Sequence, residues 1–316
     1  MLIDILREKR CFKLICGAGN ENVKEIKNLV TLYSFAGCNF FDLSANKDVI
    51  IAAKEGLELS KIKKDRYLCV SVGLKGDPHM NKALINKNCT NCKKCEKECL
   101  EHAISNCKIE KLKCIGCGRC LKVCSENAIE IQSQAKDLKE VLPPLIQLGI
   151  DCIEFHAISP DDNEVYSKWE EINNLYDGML GICIDRSNLS NKALIERLKK
   201  MLETKKPYTT IIQADGSPMS GGRNDFKTTL QAVATAELIQ NQNYEAFLLL
   251  SGGTNSKTST LANICNIDYN GISVGSYARK IVKEYIERDD FLENKEIFKK
   301  AYLIAKELVD SCLQKQ

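Results

Sequence analysis

Eight short apolar runs, most of them followed by a helical stretch, predict an α/β chain of 316 residues. Setting aside a dense cysteine block at 75–131 leaves 259 residues, close to the roughly 250 of a (β/α)8 TIM-type barrel. The predicted architecture is therefore a TIM-type barrel with a small α+β domain inserted after its third strand. A continuous apolar strand followed by a helix argues for a parallel sheet covered by helices, and eight such units favour closure over an open sheet. The expected division is 1–74 for strands one to three, 75–131 for the insertion, and 132–316 for strands four to eight with a C-terminal helix.

The first three strands are FKLICG (12–17), NFFDLS (39–44) and YLCVSVG (67–73), each rich in β-branched or aromatic residues and closed by Gly or Ser. The other five are CIEFHA (152–157), MLGICID (179–185), YTTIIQA (208–214), AFLLLSG (246–252) and GISVGS (271–276). Helical periodicity fills 22–36, 46–59, 190–203, 226–241 and 276–287. The segment 291–313 spaces its apolar residues for one more packing helix.

Composition excludes several classes. There are 45 Lys and Arg against 42 Asp and Glu, a net charge of +3, so neither nucleic acid nor an acidic membrane surface is an expected partner. No apolar stretch approaches the roughly 18 residues of a membrane helix, so membrane insertion is not expected. The opening MLIDILREKR puts charges where a signal peptide is apolar, and a cytoplasmic location is expected.

Seventeen cysteines stand out, and eight of them form two repeated motifs between Cys89 and Cys124. Cys89, Cys92, Cys95 and Cys99 are spaced C-x2-C-x2-C-x3-C. Cys114, Cys117, Cys120 and Cys124 repeat that spacing 25 residues later, with CLEHAI echoed by CSENAI. In a reducing compartment such thiols read as metal ligands or buried small hydrophobes rather than disulfides. Zinc sites use pairs with longer spacers, which this triple spacing suits poorly. The block is similar to bacterial-type two-cluster ferredoxin domains over roughly 82–131. There the fourth cysteine ligates the partner cluster; here it is expected to start a helix that carries it away from its own loop. The assignment is two [4Fe–4S] clusters, one on Cys89, Cys92, Cys95 and Cys124, the other on Cys99, Cys114, Cys117 and Cys120. Leu100 and Ser125 replace the usual prolines, which leaves the ligands intact but bears on turn rigidity and potential. Residues 75–131 carry 11 basic and 7 acidic side chains, a surplus read first as compensation for anionic clusters and otherwise as a docking patch. Cys107 reads as a spare buried thiol.

The last two strands lead into SGGTNSKT (251–258) and GSYARK (275–280). Such loops bind phosphate in many barrels, with glycines letting the backbone approach the anion. Gly252, Gly253, Gly275 and Ser276 are the candidate contacts, with Arg279 near enough to help; tight turns are the plainer explanation. The cofactor they would suit is FMN or another phosphorylated ligand. Cys16, Asp42, Glu154, His156, Asp185, Arg186, Gln213 and Asp215 are expected to face the barrel mouth. His156 and Asp185 are the candidates for catalysis, each more often a structural hydrogen bonder. The loop QADGSPMSGG (213–222), with Asp215 and Arg223, reads as a lid, a ligand clamp or a plain connection. No Ser–His–Asp pattern, P-loop or H-E-x-x-H supports hydrolase chemistry.

The whole chain resembles the cyanobacterial light-dependent period protein family. The stretches that carry the resemblance are CFKLICGAGNENVKEIKNLVTLYSFAGCNFFDLSA, the cysteine octet, QADGSPMSGG, SGGTNSKT and ISVGSYARKIV. It implies an iron–sulfur redox sensor that passes light-dependent redox state to the circadian clock through oscillator and sensor-kinase proteins. The eight cysteines carry over as cluster ligands, and a redox donor or the quinone pool is the expected upstream partner. The alternative is a flavin- or phosphate-ligand-binding barrel oxidoreductase fed by the clusters. A third reading makes the barrel a scaffold and the insertion a plain electron carrier.

Overall fold

The computed structural model describes residues 1–313 apart from 18, 63, 76, 78, 79, 134, 135, 187, 188 and 217–224. The first part of the chain runs α1 (Leu2–Arg7), β1 (Cys11–Ile15), α2 (Val23–Ala36), β2 (Phe40–Ser44), α3 (Lys47–Ser60) and β3 (Tyr67–Gly73). Six small elements follow: β4 (Asn81–Ile85), α4 (Lys94–Glu98), β5 (Ile104–Ser105), β6 (Lys108–Ile109), α5 (Arg119–Val123) and β7 (Ile129–Ser133). The chain then resumes its alternation with α6 (Leu138–Gln147), β8 (Cys152–His156), α7 (Asp162–Leu175), β9 (Met179–Ile184), α8 (Asn191–Leu202) and β10 (Thr210–Asp215). It ends with α9 (Asp225–Gln240), β11 (Phe247–Ser251), α10 (Thr258–Ile264), β12 (Gly271–Val274), α11 (Ser276–Ile286) and α12 (Lys295–Leu313).

Eight parallel strands close in the order β1-β12-β11-β10-β9-β8-β3-β2, with β1 also pairing β2. The predicted barrel and all eight of its strands are present, their ends agreeing to within a residue or two. Local chemistry sets the helix starts. Asn22, Asn46 and Ser190 each accept a hydrogen bond from the first turn of α2, α3 and α8, satisfying backbone donors that have no partner within the helix. Gly37 ends α2 at φ +107, where any side chain would be strained.

Alternation along the strands builds two cores. Outward residues such as Phe12, Leu14, Phe41 and Leu43 pack under the helices. Inward residues fill the barrel in layers. At the N-terminal end α1 plugs the bottom, placing Ile5 and Leu6 against Cys11, Phe40, Cys69 and Phe247. The next layer up is polar. Lys13, Asp42, Ser71, Glu154, Gln213 and Ser273 are all at most 2% exposed.

Between β3 and α6, β4 pairs antiparallel with β7, and β5 with β6. Helices α4 and α5 lie 25 residues apart, matching the sequence repeat. Ala83, Ala103, Ile104 and Ile129 form a small separate core with Cys114 and Cys120. The fourth cysteines differ from expectation. Cys99 and Cys124 do not start helices; each is the C-cap of a one-turn helix, in extended backbone. Leaving the helix there, rather than entering one, is what turns each away from its own loop. Among the described residues, no helix is long and apolar enough to cross a membrane.

Candidate metal centre and barrel mouth

The two cysteine loops share a backbone shape. Asn91 and Lys93 have φ of +56° and +60°, and their counterparts Gly116 and Gly118 both have +70°. Left-handed residues at alternate positions fold the chain tightly enough for three cysteines to converge. The eight thiols then divide into two groups. Cys89, Cys92, Cys95 and Cys124 line one cavity, walled by Ile104, Ala128 and Ile129. Cys99, Cys114, Cys117 and Cys120 line another, walled by Ala83, Ala103 and Ile109. Backbone amides already aim at three of the sulfurs. Ala103 donates to Cys99 and Ala128 to Cys124, both at 3.3 Å, and Ala83 donates to Cys114 at 3.4 Å. Four thiols on an apolar cavity, with N–H donors behind them, is the donor set an iron–sulfur cubane takes.

Cys107 departs from the buried thiol expected. It is half-exposed, on the two-residue turn between β5 and β6 at φ +57°, and it lines the first cavity beside Cys89. A two-residue hairpin leaves its turn side chains outside the small core.

The inserted elements touch the barrel through a few polar contacts. The Lys82 ammonium donates to three carbonyls, Gly19 at 2.5 Å and Lys111 and Cys114 at 2.7 Å. Glu101 accepts from Arg279 at 3.4 Å and from Lys283 at 3.0 Å, both on α11. These two cations outweigh its burial and hold its carboxyl below the usual range.

Inside the barrel, the Lys13 ammonium bridges Glu154 and Asp42 and donates to Gln213 Oε1 at 3.0 Å. Burial opposes its charge, but Asp42 and Glu154 overcome it and hold the ammonium well above its ordinary pKa. Ser71 donates to Asp42 at 2.6 Å, and Gln213 donates to Glu154 at 3.0 Å. One layer higher, His156 Nδ1 lies 2.8 Å from Asp77 Oδ2, and its Nε2 lies 3.7 Å from Glu154 Oε1. Burial works against the imidazolium, yet Asp77 and Glu154 push its pKa well up. The Cys183 thiol donates to Asp215 at 3.1 Å. Burial pushes the Asp215 carboxyl up to about 6, partly offset by that thiol.

The residues expected at the mouth thus separate. Asp42, Glu154, His156, Gln213 and Asp215 come together. Asp185 is buried one position beyond the end of β9, with Cys183 and Gly181 at the alternate positions before it. Cys16 faces away, into the core beneath the helices, because strand alternation puts Lys13 and Ile15 inward instead. Arg186 is exposed. The stretch 217–222 of the Gly/Ser loop, and Arg223, lie outside the described residues.

The candidate phosphate loops have structural occupations. A Cβ on Gly253 would fall 2.4 Å from Thr228, and one on Gly252 would fall 2.7 Å from the Gly216 nitrogen. The Gly253 carbonyl accepts both the Thr228 and Thr229 hydroxyls. Gly275 caps α11 and Ser276 begins it, while Arg279 donates to the Ile15 carbonyl and reaches Glu101.

Lys13, Ser71, Asp77, Lys82 and Cys183 carry much of this chemistry and were not singled out in the sequence. Lys13 left a signal, a charge at an inward position of an otherwise apolar strand. Cys183 and Asp77 left none, since their roles come from elements far apart in the chain.

The Light dependent period A C-terminal domain family matches residues 144–311, and a 4Fe-4S binding domain matches residues 108–129. The chain is 31% identical over 304 residues to Light dependent period A of Synechococcus elongatus, covering 90% of this chain and 84% of that protein. Among solved structures it is similar to tryptophan synthase from Mycobacterium tuberculosis, at 10% identity over 98% of this chain and 97% of that one, with a TM-score of 0.49. It is likewise similar to a truncated 3-deoxy-D-arabino-heptulosonate 7-phosphate synthase from Thermotoga maritima, at 10% identity over 94% and 84%, with a TM-score of 0.49. The closed barrel itself stands on the strand pairing described above.

Proposed function

The chain belongs to the Light dependent period A family, and from that premise we propose that it is an iron–sulfur redox sensor of circadian input. In this reading it holds two [4Fe–4S] clusters and relays light-dependent redox state through partner proteins. One observation carries it: the eight thiols fall into two quartets, each around its own cavity. Cys89, Cys92, Cys95 and Cys124 hold one cluster, and Cys99, Cys114, Cys117 and Cys120 hold the other. Bound there, each cluster supplies a one-electron couple within the roughly −700 to +450 mV open to such centres.

The chain's own residues tune and transmit that couple. The amides of Ala83, Ala103 and Ala128 stabilise negative charge on the sulfurs they face. Glu101 stands two residues past Cys99 and pairs with Arg279 and Lys283, so added charge at that quartet acts directly on the contact with α11. The partners are clock oscillator and sensor-kinase proteins, with a redox donor or the quinone pool upstream. The test is partner affinity measured with dithionite-reduced and with oxidised protein. The reading predicts a difference of several-fold, and equal affinities contradict sensing.

A further inference from the structure

Among the described residues, the barrel mouth brings carboxyl groups together with a histidine and a thiol. Among them, Asp42, Asp77 and Glu154 gather around Lys13 and His156, and Asp215 lies beside them against the Cys183 thiol. All but Asp215 are at most 4% exposed, and Asp215 keeps one oxygen, Oδ1, shut from solvent, with the Ser251 hydroxyl at its carboxyl. An imidazole, a thiol and carboxyl oxygens shut away together form a donor set that a divalent cation can take up.

We propose that Glu154, His156 and Cys183, with Asp215 as fourth donor, bind a single divalent zinc-class cation inside the barrel. The ligand atoms of the first three are buried and lie within 4.8 Å of one another. A tetrahedral zinc with bonds of about 2.0–2.3 Å spaces its ligands about 3.3–3.8 Å apart, so a small inward shift closes the site. The separation of 3.7 Å between His156 Nε2 and Glu154 Oε1 already falls in that range. One nitrogen, one sulfur and carboxylate oxygens form a set that suits zinc over magnesium or calcium.

The supporting groups are in place. Asp77 accepts a hydrogen bond from Nδ1–H of His156, which fixes the ring and presents Nε2 to the metal. Lys13 engages Glu154 Oε2, while Oε1 accepts from Gln213 at 3.0 Å and faces His156. The donors sit on rigid neighbouring strands, with His156 on β8 directly opposite Cys183 on β9. Gly181 keeps Glu154 in position, since a Cβ there would come 3.3 Å from its side chain. Without metal, Cys183 gives its proton to a hydrogen bond with Asp215. Metal binding forms the S–M and N–M bonds and releases the Cys183 and imidazolium protons to solvent, with no change of oxidation state.

The probe is zinc, added to the full chain with its iron clusters intact and followed by gel filtration. One zinc per chain is expected, with iron unchanged. Zinc-edge X-ray absorption of the unaltered protein is expected to show one sulfur and three nitrogen or oxygen neighbours. A four-sulfur shell would place the zinc in the cysteine loops and overturn the proposal, as would failure to retain zinc. Cys183→Ser is expected to lose the zinc with iron unchanged, and a Cys183→Ser protein that keeps both the zinc and its one-sulfur shell overturns it. Asp77→Asn is expected to weaken zinc binding about 10–100-fold. Unchanged affinity there contradicts His156 as a ligand.

Discussion

The two thiol quartets come from the same eleven-residue phrase and sit in different surroundings. The outer quartet has Cys92 exposed and Cys89, Cys95 and Cys124 half-buried, with the fifth thiol, Cys107, at its rim. The inner quartet has Cys114 and Cys120 buried and borders Glu101, which is tied to α11. Lys82 also clamps the Cys114 carbonyl to the β1–α2 loop of the barrel. The outer loop places Asn91 and Lys93 at left-handed positions that the inner loop fills with glycine. Spacing decides which metal binds, and surroundings decide what each centre is used for. The outer quartet is built for access, while the inner one is built into the barrel.

The largest effects should come from the ligands. Cys92→Ser and Cys117→Ser are each expected to lower bound iron to about half, because each removes one of two cubanes. Iron analysis checks this, and unchanged iron in either variant contradicts the ligand sets. The comparison adds that Cys117→Ser lowers the melting temperature more than Cys92→Ser, since only the inner site is braced by the barrel.

Next in size is Lys82→Met. It strands three carbonyls that now share one ammonium, for a loss of roughly 3 kcal/mol. Denaturant melts measure it, and a loss below 1 kcal/mol would show the clamp to be incidental. Glu101→Gln removes two partly buried ion pairs and is expected to cost about 2 kcal/mol. It should also flatten any redox dependence of partner binding while leaving iron unchanged. The smallest is Lys93→Gly, which makes the outer loop like the inner and gains up to about 1 kcal/mol by removing a left-handed side chain. A destabilised Lys93→Gly protein would show that the lysine contributes contacts beyond its backbone shape.

Much of the barrel was legible because strand period and strand–helix alternation are local. All eight strands fell where apolar runs did. Helix α6 was not legible, because Pro143 and Pro144 lie within it and prolines ordinarily read as breaks. Helix α7 was hidden by its acidic run DDNEVYSKWEE, although Asp161 caps it. The cysteine phrase was legible from spacing alone. Its geometry was less so, since whether Cys99 and Cys124 enter or leave a helix depends on one turn of chain. The buried charges of the mouth were half legible. Glu154 and His156 lie in a recognisable strand, and Asp215 ends another. Their partners Asp77 and Cys183 come from a loop and a neighbouring strand, and only closure of the barrel brings them together.

The central claim is that two quartets of unequal exposure each hold a [4Fe–4S] cluster. Its most direct test is iron and acid-labile sulfide analysis of anaerobically purified protein, repeated while air is admitted. The account predicts about eight iron and eight sulfide per chain, with half lost several-fold faster than the rest. About four iron, four-sulfur zinc in either loop, or loss in a single phase would contradict it.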